Sequence, residues 1–164
     1  MVALRYIYVL TLAVWLGGMI TIGGIVAPAV FRTVEQAHDD TGAGRAQSAS
    51  VVGEVLRRFH LVSYGAGIVL GASLVTMKVI GPRPVGFGAR LLIVGLMLTA
   101  SLVSGLLVDR RIADLRTAIG QPVSSLPADD PRRLAFGRLH AISTSLMGIA
   151  IAGGLLLCYW ETRE

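Results

Sequence analysis

Charge is absent from four long stretches of this 164-residue chain, and their positions set its architecture. Tyr6 to Phe31 holds no charged residue, nor do Leu61 to Met77, Leu91 to Val108 or Ala141 to Trp160. Each run approaches the ~20 residues that cross about 30 Å of hydrocarbon as a helix. The pattern predicts an all-α protein, an integral membrane four-helix bundle forming one domain over residues 1–164. Its helices are expected over about 4–31, 50–79, 89–118 and 131–161. Between them, residues 38–50 read as a polar, glycine-containing loop, and Ile80 to Gly88 as a short external turn rich in helix breakers. Asp130-Pro131 reads as an N-cap followed by proline at the first helical position. Pro28 falls where the first helix should end and is expected to kink its exit. The first run is too long for a signal h-region of about 7–15 residues, so it reads as a retained helix.

The phrase Arg58-Phe59-His60-Leu61-Val62-Ser63 returns eighty positions later as Arg138-Leu139-His140-Ala141-Ile142-Ser143. An internal repeat constrains architecture before any single residue is interpreted. Here it predicts two duplicated helical hairpins in parallel orientation, related by a pseudo-two-fold axis along the membrane normal. Each would carry a histidine at the same depth, near the mouth of a span. Gly67 with Gly71, Ser101 with Gly105 and Ala150 with Gly154 have the small-xxx-small spacing that lets membrane helices pack closely.

Composition narrows the class. Hydrophobic residues make up 54% and charged residues 15%, against about 25% charged in soluble domains. The lone Cys158 excludes an internal disulfide and a thiolate metal cluster within one chain. Basic residues concentrate in the two long connections, which hold ten of them against five at the opposite ends. The positive-inside bias then places both connections in the cytoplasm and both termini outside a cytoplasmic membrane. The net charge of +5 reads as topology and anionic-lipid contact. No basic, aromatic-studded soluble face suggests nucleic acid. Tyr6 with Tyr8, and Tyr159 with Trp160, fit an interfacial aromatic belt at the outer ends.

Candidate chemistry rests on few residues. His60 and His140 could ligate one b-type haem axially or hold one metal ion, since imidazole is a common ligand for both. Arg58 and Arg138 could then pair with haem propionates or other anions. The plainer alternative is that each imidazole bonds headgroups, water or a loop carbonyl at an interface. No third and fourth metal ligand is evident, which counts against zinc. Trp15 lies near the bilayer midplane, either packed in the core or stacked on a cofactor. Tyr64 follows His60 by one turn on the same face. Asp109, beside Arg110 and Arg111, reads as an interface salt-bridge residue. No nucleophile–base pair, phosphate loop or close carboxylate pair points to an enzyme.

Trp15-Leu16-Gly17-Gly18-Met19, Ala27-Pro28-Ala29-Val30-Phe31-Arg32 and Phe136-Gly137-Arg138-Leu139-His140-Ala141-Ile142-Ser143 resemble the transmembrane-protein-205-like family. That resemblance spans essentially the whole chain and implies a four-helix membrane fold, with no activity attached. A weaker likeness to copper-resistance D membrane proteins lies in the tryptophan and glycines of helix one. Haem-dependent protoporphyrinogen oxidases share a tryptophan, glycine and arginine along one helix, but here helix one has no histidine. The expectation is therefore a non-enzymatic membrane binding or accessory protein with a paired-histidine site near the cytoplasmic face. Its partners would be the lipid bilayer and other membrane proteins or further copies of itself. The alternatives are a b-haem redox protein ligated by His60 and His140, and a metal or small-molecule transporter.

Overall fold

A computed structural model describes residues 2–38, 41–81 and 84–163. Four long helices carry nearly all of them, and each is long and apolar enough to cross a membrane: α1 (Val2–Gln36), α2 (Thr41–Ile80), α3 (Phe87–Ile119) and α4 (Pro131–Glu161). The chain is a multi-pass, all-α membrane bundle. Around it α1 packs on α2, α2 on α3, α3 on α4, and α4 returns to α1.

The core follows from helical periodicity. Tyr8, Leu12, Trp15, Leu16 and Met19 form one stripe of α1 and meet Ala66, Leu70, Leu74 and Met77 of α2. Phe87, Val94 and Met97 of α3, with Ala150 and Leu157 of α4, close the cluster. Small residues set the seams. A Cβ added at Gly18 would collide with the Phe59 ring, and one at Gly67 would meet Leu98 at 2.8 Å. Tyr8 is fully buried and faces this core, so it does not join the belt expected of it. Two residues apart on a helix is about 200°, so Tyr6, which is exposed, and Tyr8 cannot share a face.

Two helices contain a π turn, Ile22–Val26 in α1 and Ser104–Val108 in α3. In α1 the amide of Ala27 donates to the carbonyl of Ile22, five residues back. That wider turn relieves the clash Pro28 would make inside an α-helix. The helix therefore runs on to Gln36 instead of ending at the proline. Both π turns fall in the first helix of a hairpin and both contain glycine.

Helix α2 starts at Thr41, nine residues before the expected boundary, and residues 41–50 are helical where a loop was anticipated. Tertiary contacts explain this. Arg45 pairs with Glu35 at 2.8 Å, the Ser48 hydroxyl donates to Gly44 O, and Arg116 Nη2 donates to Ala46 O at 3.0 Å. Part of the expected turn between α2 and α3, Pro82 and Arg83, and the Asp39-Asp40 pair lie outside the described residues. Gly86, at φ 65, opens α3 in the left-handed region that favours glycine.

At the start of α4 the Asp130 side chain accepts from the Arg132 amide at 2.8 Å, with Pro131 at the first helical position. The Arg132 guanidinium, with its own bonds to this carboxylate, holds the carboxyl below the usual range. Asp130→Ala is expected to lower the melting temperature in detergent by roughly 2–4 °C through loss of the cap. Differential scanning fluorimetry measures it, and Asp130→Asn, a competent cap, should retain most of the stability.

Candidate functional site

The arginine-rich end of the bundle places an ionisable cluster on the α2–α3 seam. His60 Nδ1 lies 2.9 Å from Leu56 O, one turn back on its own helix, and 3.4 Å from Asp109 Oδ2 across the seam. A carbonyl oxygen only accepts, so the bond to Leu56 fixes a proton on Nδ1. In the neutral ring Nε2 is then the lone-pair nitrogen. Tyr64 stands one turn further on, with its ring centroid 6.1 Å from the imidazole.

Gly105 makes this approach possible. A Cβ added there would lie 2.8 Å from His60 Cγ and collide with the Tyr64 hydroxyl. The same glycine sits in the π turn of α3, and Asp109 is the first residue after it. The extra residue in the turn rotates the rest of α3 relative to a regular helix, which sets the direction from which Asp109 meets His60. The imidazole side chain is only 13% exposed and the carboxylate 27%. An imidazole and a carboxylate, both largely buried, thus tie α2 to α3 at the edge of the apolar span.

His140 has different surroundings. It is exposed and stacks on Phe136 of its own helix, at 6.4 Å between parallel rings. The repeat explains the difference. In the second half of the duplication α3 supplies Asp109 directly after its π turn, whereas the corresponding position of α1 is Ala27. His60 therefore has a carboxylate partner across its seam, and the alanine offers His140 none.

The depth of the two histidines does correspond. Ser104 and Ser143 share a hydrogen bond of 3.2 Å that sets the register of α3 against α4. Counting from that bond and from the His60–Asp109 contact puts the imidazoles within about 3 Å of one level.

Arg58 and Arg138 are exposed, and Arg58 is engaged by Glu54 at 2.7 Å. Trp15 is fully buried in the core, and its indole N–H has no hydrogen-bond partner among the described residues. The structure thus brings together His60 and Tyr64, and adds Asp109 and Gly105. It leaves His140, Arg138 and Trp15 in other surroundings. Among the described residues no three His, Cys, Asp or Glu side chains converge as a metal site.

A second polar cluster joins three helices at the opposite end of the bundle. Arg90 of α3, 1% exposed, donates from Nη1 to Glu161 Oε1 of α4, and Arg5 of α1 donates to Glu161 Oε2 at 3.1 Å. In the sequence these arginines count only toward topology. The available signal was Arg90 itself, a charge set directly before an eighteen-residue apolar run.

No curated protein and no solved structure is detectably similar to this chain. A family model described as a domain of unknown function, DUF4149, matches residues 10–121. The match covers most of α1 and all of α2 and α3, including both π turns and His60, Tyr64, Gly105 and Asp109. It ends before α4, which carries Arg138 and His140. With well over half of its length matched, the chain belongs to the DUF4149 family.

Proposed function

We propose that this chain is a non-enzymatic accessory subunit of the cytoplasmic membrane that holds a partner's transmembrane helix on the outer face of α4. The arginine-rich end faces the cytoplasm, as the positive-inside bias supports. One observation carries the reading. Gly137, Ala141, Ser145, Gly148 and Ala152 are all exposed and fall within about 80° of arc on α4. That face points away from Ala150, Gly154 and Leu157, which pack inward.

Gly18, Gly67, Gly105, Gly153 and Gly154 are consumed by close contacts within the bundle, while Gly17, Gly24, Gly65, Gly71 and Gly95 on the other helices are open. On α4, Gly137 and Gly148 have nothing within 4 Å of an added Cβ. In lipid, helices associate through close packing that small residues permit, because hydrocarbon offers no hydrophobic drive. Helix α4 also has the least covered apolar window, 17% buried against 28–33% in the others. The His60–Asp109 pair serves this role by fixing the seam opposite, so that the bundle presents a rigid face.

Leucine at both Gly148 and Ala152 tests the idea. Since nothing lies near Gly148, the variant should keep its melting temperature. A photo-crosslinker at position 145 on the same face of α4, but not at Gly95 on α3, should trap a product of defined stoichiometry in native membranes. Loss of that product in the leucine variant by about tenfold or more supports the reading, as a packing interface would require. Equal crosslinking at both positions, or none, overturns it.

A second reading, a b-type haem held by His60 and His140, has one feature in its favour. His60 Nδ1–H is committed to a backbone carbonyl, the arrangement that orients a ligating imidazole and leaves Nε2 for a metal. Against it, His140 stacks on Phe136 and α2 and α4 are not neighbours around the bundle. Absorption spectra of protein purified with haem supplied decide between them: a Soret band lost in His60→Ala supports haem, and a featureless spectrum removes it.

A further inference from the structure

The two ends of the bundle treat their arginines differently. At the end bearing the termini, Arg5 and Arg90 converge on Glu161. At the other end Glu54 takes Arg57 and Arg58, Glu35 takes Arg45, and Asp130 takes Arg132. Arg32, Arg110, Arg111 and Arg138 are exposed, and among the described residues none of them has a carboxylate within ion-pair distance.

These four share one level, and three seams show it. The Ser104–Ser143 hydrogen bond sets α3 against α4. From it Arg110 lies about 9 Å and Arg138 about 7.5 Å toward the same end. Gly23 of α1 faces Met147 of α4, whose terminal methyl lies 3.1 Å from an added Cβ. Arg32 and Arg138 are each nine residues beyond that contact, about 13 Å along their helices. On the α2–α3 seam, His60–Asp109 puts Arg58 beside Arg110 and Arg111 in height.

This level also has a fixed distance from the other end. Twenty residues separate Arg90 from Arg110, and twenty separate Lys78 from Arg58. As helix that is about 30 Å, the thickness of the hydrocarbon core. The four guanidinium groups thus stand where lipid phosphates lie. Arginine matches phosphate oxygens with two parallel hydrogen bonds, and no carboxylate among the described residues competes for these four.

From this we infer that the ring of Arg32, Arg110, Arg111 and Arg138 is a binding surface for the phosphate headgroups of anionic glycerophospholipids. It concentrates on the α3–α4 side, where three of the four sit. The ring is selective for net negative lipid because a zwitterionic headgroup brings its own cation to satisfy the phosphate. Only the crossing of a membrane is required, so the lipid surface stands whether or not a partner helix docks on α4.

The full chain reconstituted in phosphatidylcholine vesicles, with spin-labelled phosphatidylglycerol or spin-labelled phosphatidylcholine as probe, tests it by the relative association of the two labels. Phosphatidylglycerol should be preferred, and Arg138→Gln should lower that preference by up to about fivefold, the scale of one basic side chain near the surface. The combined Arg110→Gln, Arg111→Gln and Arg138→Gln variant should abolish it. Arg57→Gln, which removes a guanidinium already paired, should leave it intact. Should the combined variant fail to reconstitute, Arg138→Lys against Arg138→Gln keeps the question open to refutation, since lysine retains the charge. Equal association of the two labels with the unaltered chain overturns the inference. So does a preference that survives the arginine changes, or one that millimolar inorganic phosphate removes at constant ionic strength.

Discussion

Gly105→Ala should destabilise the bundle and loosen the His60–Asp109 contact at once. The new Cβ would lie 2.8 Å from His60 Cγ and 3.0 Å from His60 Cδ2, inside normal contact distance. It would also collide with the Tyr64 hydroxyl, the far end of a side chain that can swing away. The imidazole has less freedom, because Leu56 O and Asp109 hold Nδ1 from two directions. Moving it costs those interactions, and leaving it costs overlap. Overpacking of this kind typically costs about 1–3 kcal/mol. In a chain of this size that is a fall of roughly 3–10 °C in melting temperature.

The cause can be separated from a general intolerance of alanine in α3. Gly95 has nothing within 4 Å of an added Cβ, so Gly95→Ala should be neutral or slightly stabilising. Tyr64→Phe in the Gly105→Ala background removes the hydroxyl and should recover part of the loss, leaving the portion due to His60. If Gly105→Ala and Gly95→Ala melt together, α2 and α3 do not approach this closely in the membrane.

The sequence made the membrane architecture legible because charge exclusion from hydrocarbon is a strong and local signal. Four uncharged runs marked four spans, and Asp130-Pro131 marked the start of α4 to the residue. Helix ends outside the apolar runs were harder to read. Residues 41–50 contain two glycines and look like a loop, yet Arg45–Glu35 and Arg116 on Ala46 O hold them helical, contacts visible only once the helices are packed. The π turns were not legible either, although Pro28 inside an uninterrupted apolar run was a sign that α1 needed a local accommodation.

For the candidate site, the repeat pointed to His60 and His140 alike, and the structure gives the two different surroundings. A duplication preserves backbone placement more readily than side-chain chemistry. Asp109 and Ala27 both follow a π turn, but only one of them can pair with an imidazole. Asp109 was hidden by its neighbours Arg110 and Arg111, which offered an obvious local explanation for its charge. In the structure those arginines have no carboxylate partner among the described residues, and Asp109 turns to His60.

Glu161→Ala should strongly destabilise the bundle. Glu161 is the carboxylate on which Arg90 and Arg5 converge, and it links α4 to α3 and to α1 near the chain's end. Arg90 is 1% exposed and lies at the edge of hydrocarbon, so its charge is already largely removed from water. Removing a carboxylate partner of a buried guanidinium costs up to about 3–5 kcal/mol, because that guanidinium loses a charge-assisted bond in a place largely closed to water. The expected fall in melting temperature is roughly 6–15 °C.

Arg5 is 42% exposed, so Arg5→Gln removes a more solvated guanidinium and should cost about 1 kcal/mol or less. The informative variant is the double one. Arg90→Met with Glu161→Gln replaces the buried charges with groups of similar length and should recover much of the loss. Full recovery would show that the pair contributes alignment of α3 on α4 more than net stability. No recovery would show that Arg90 also stabilises the bundle by packing its long side chain. A melting temperature unchanged by Glu161→Ala would mean that the α3–α4 end opens readily to water and that the buried cluster does not persist in the membrane.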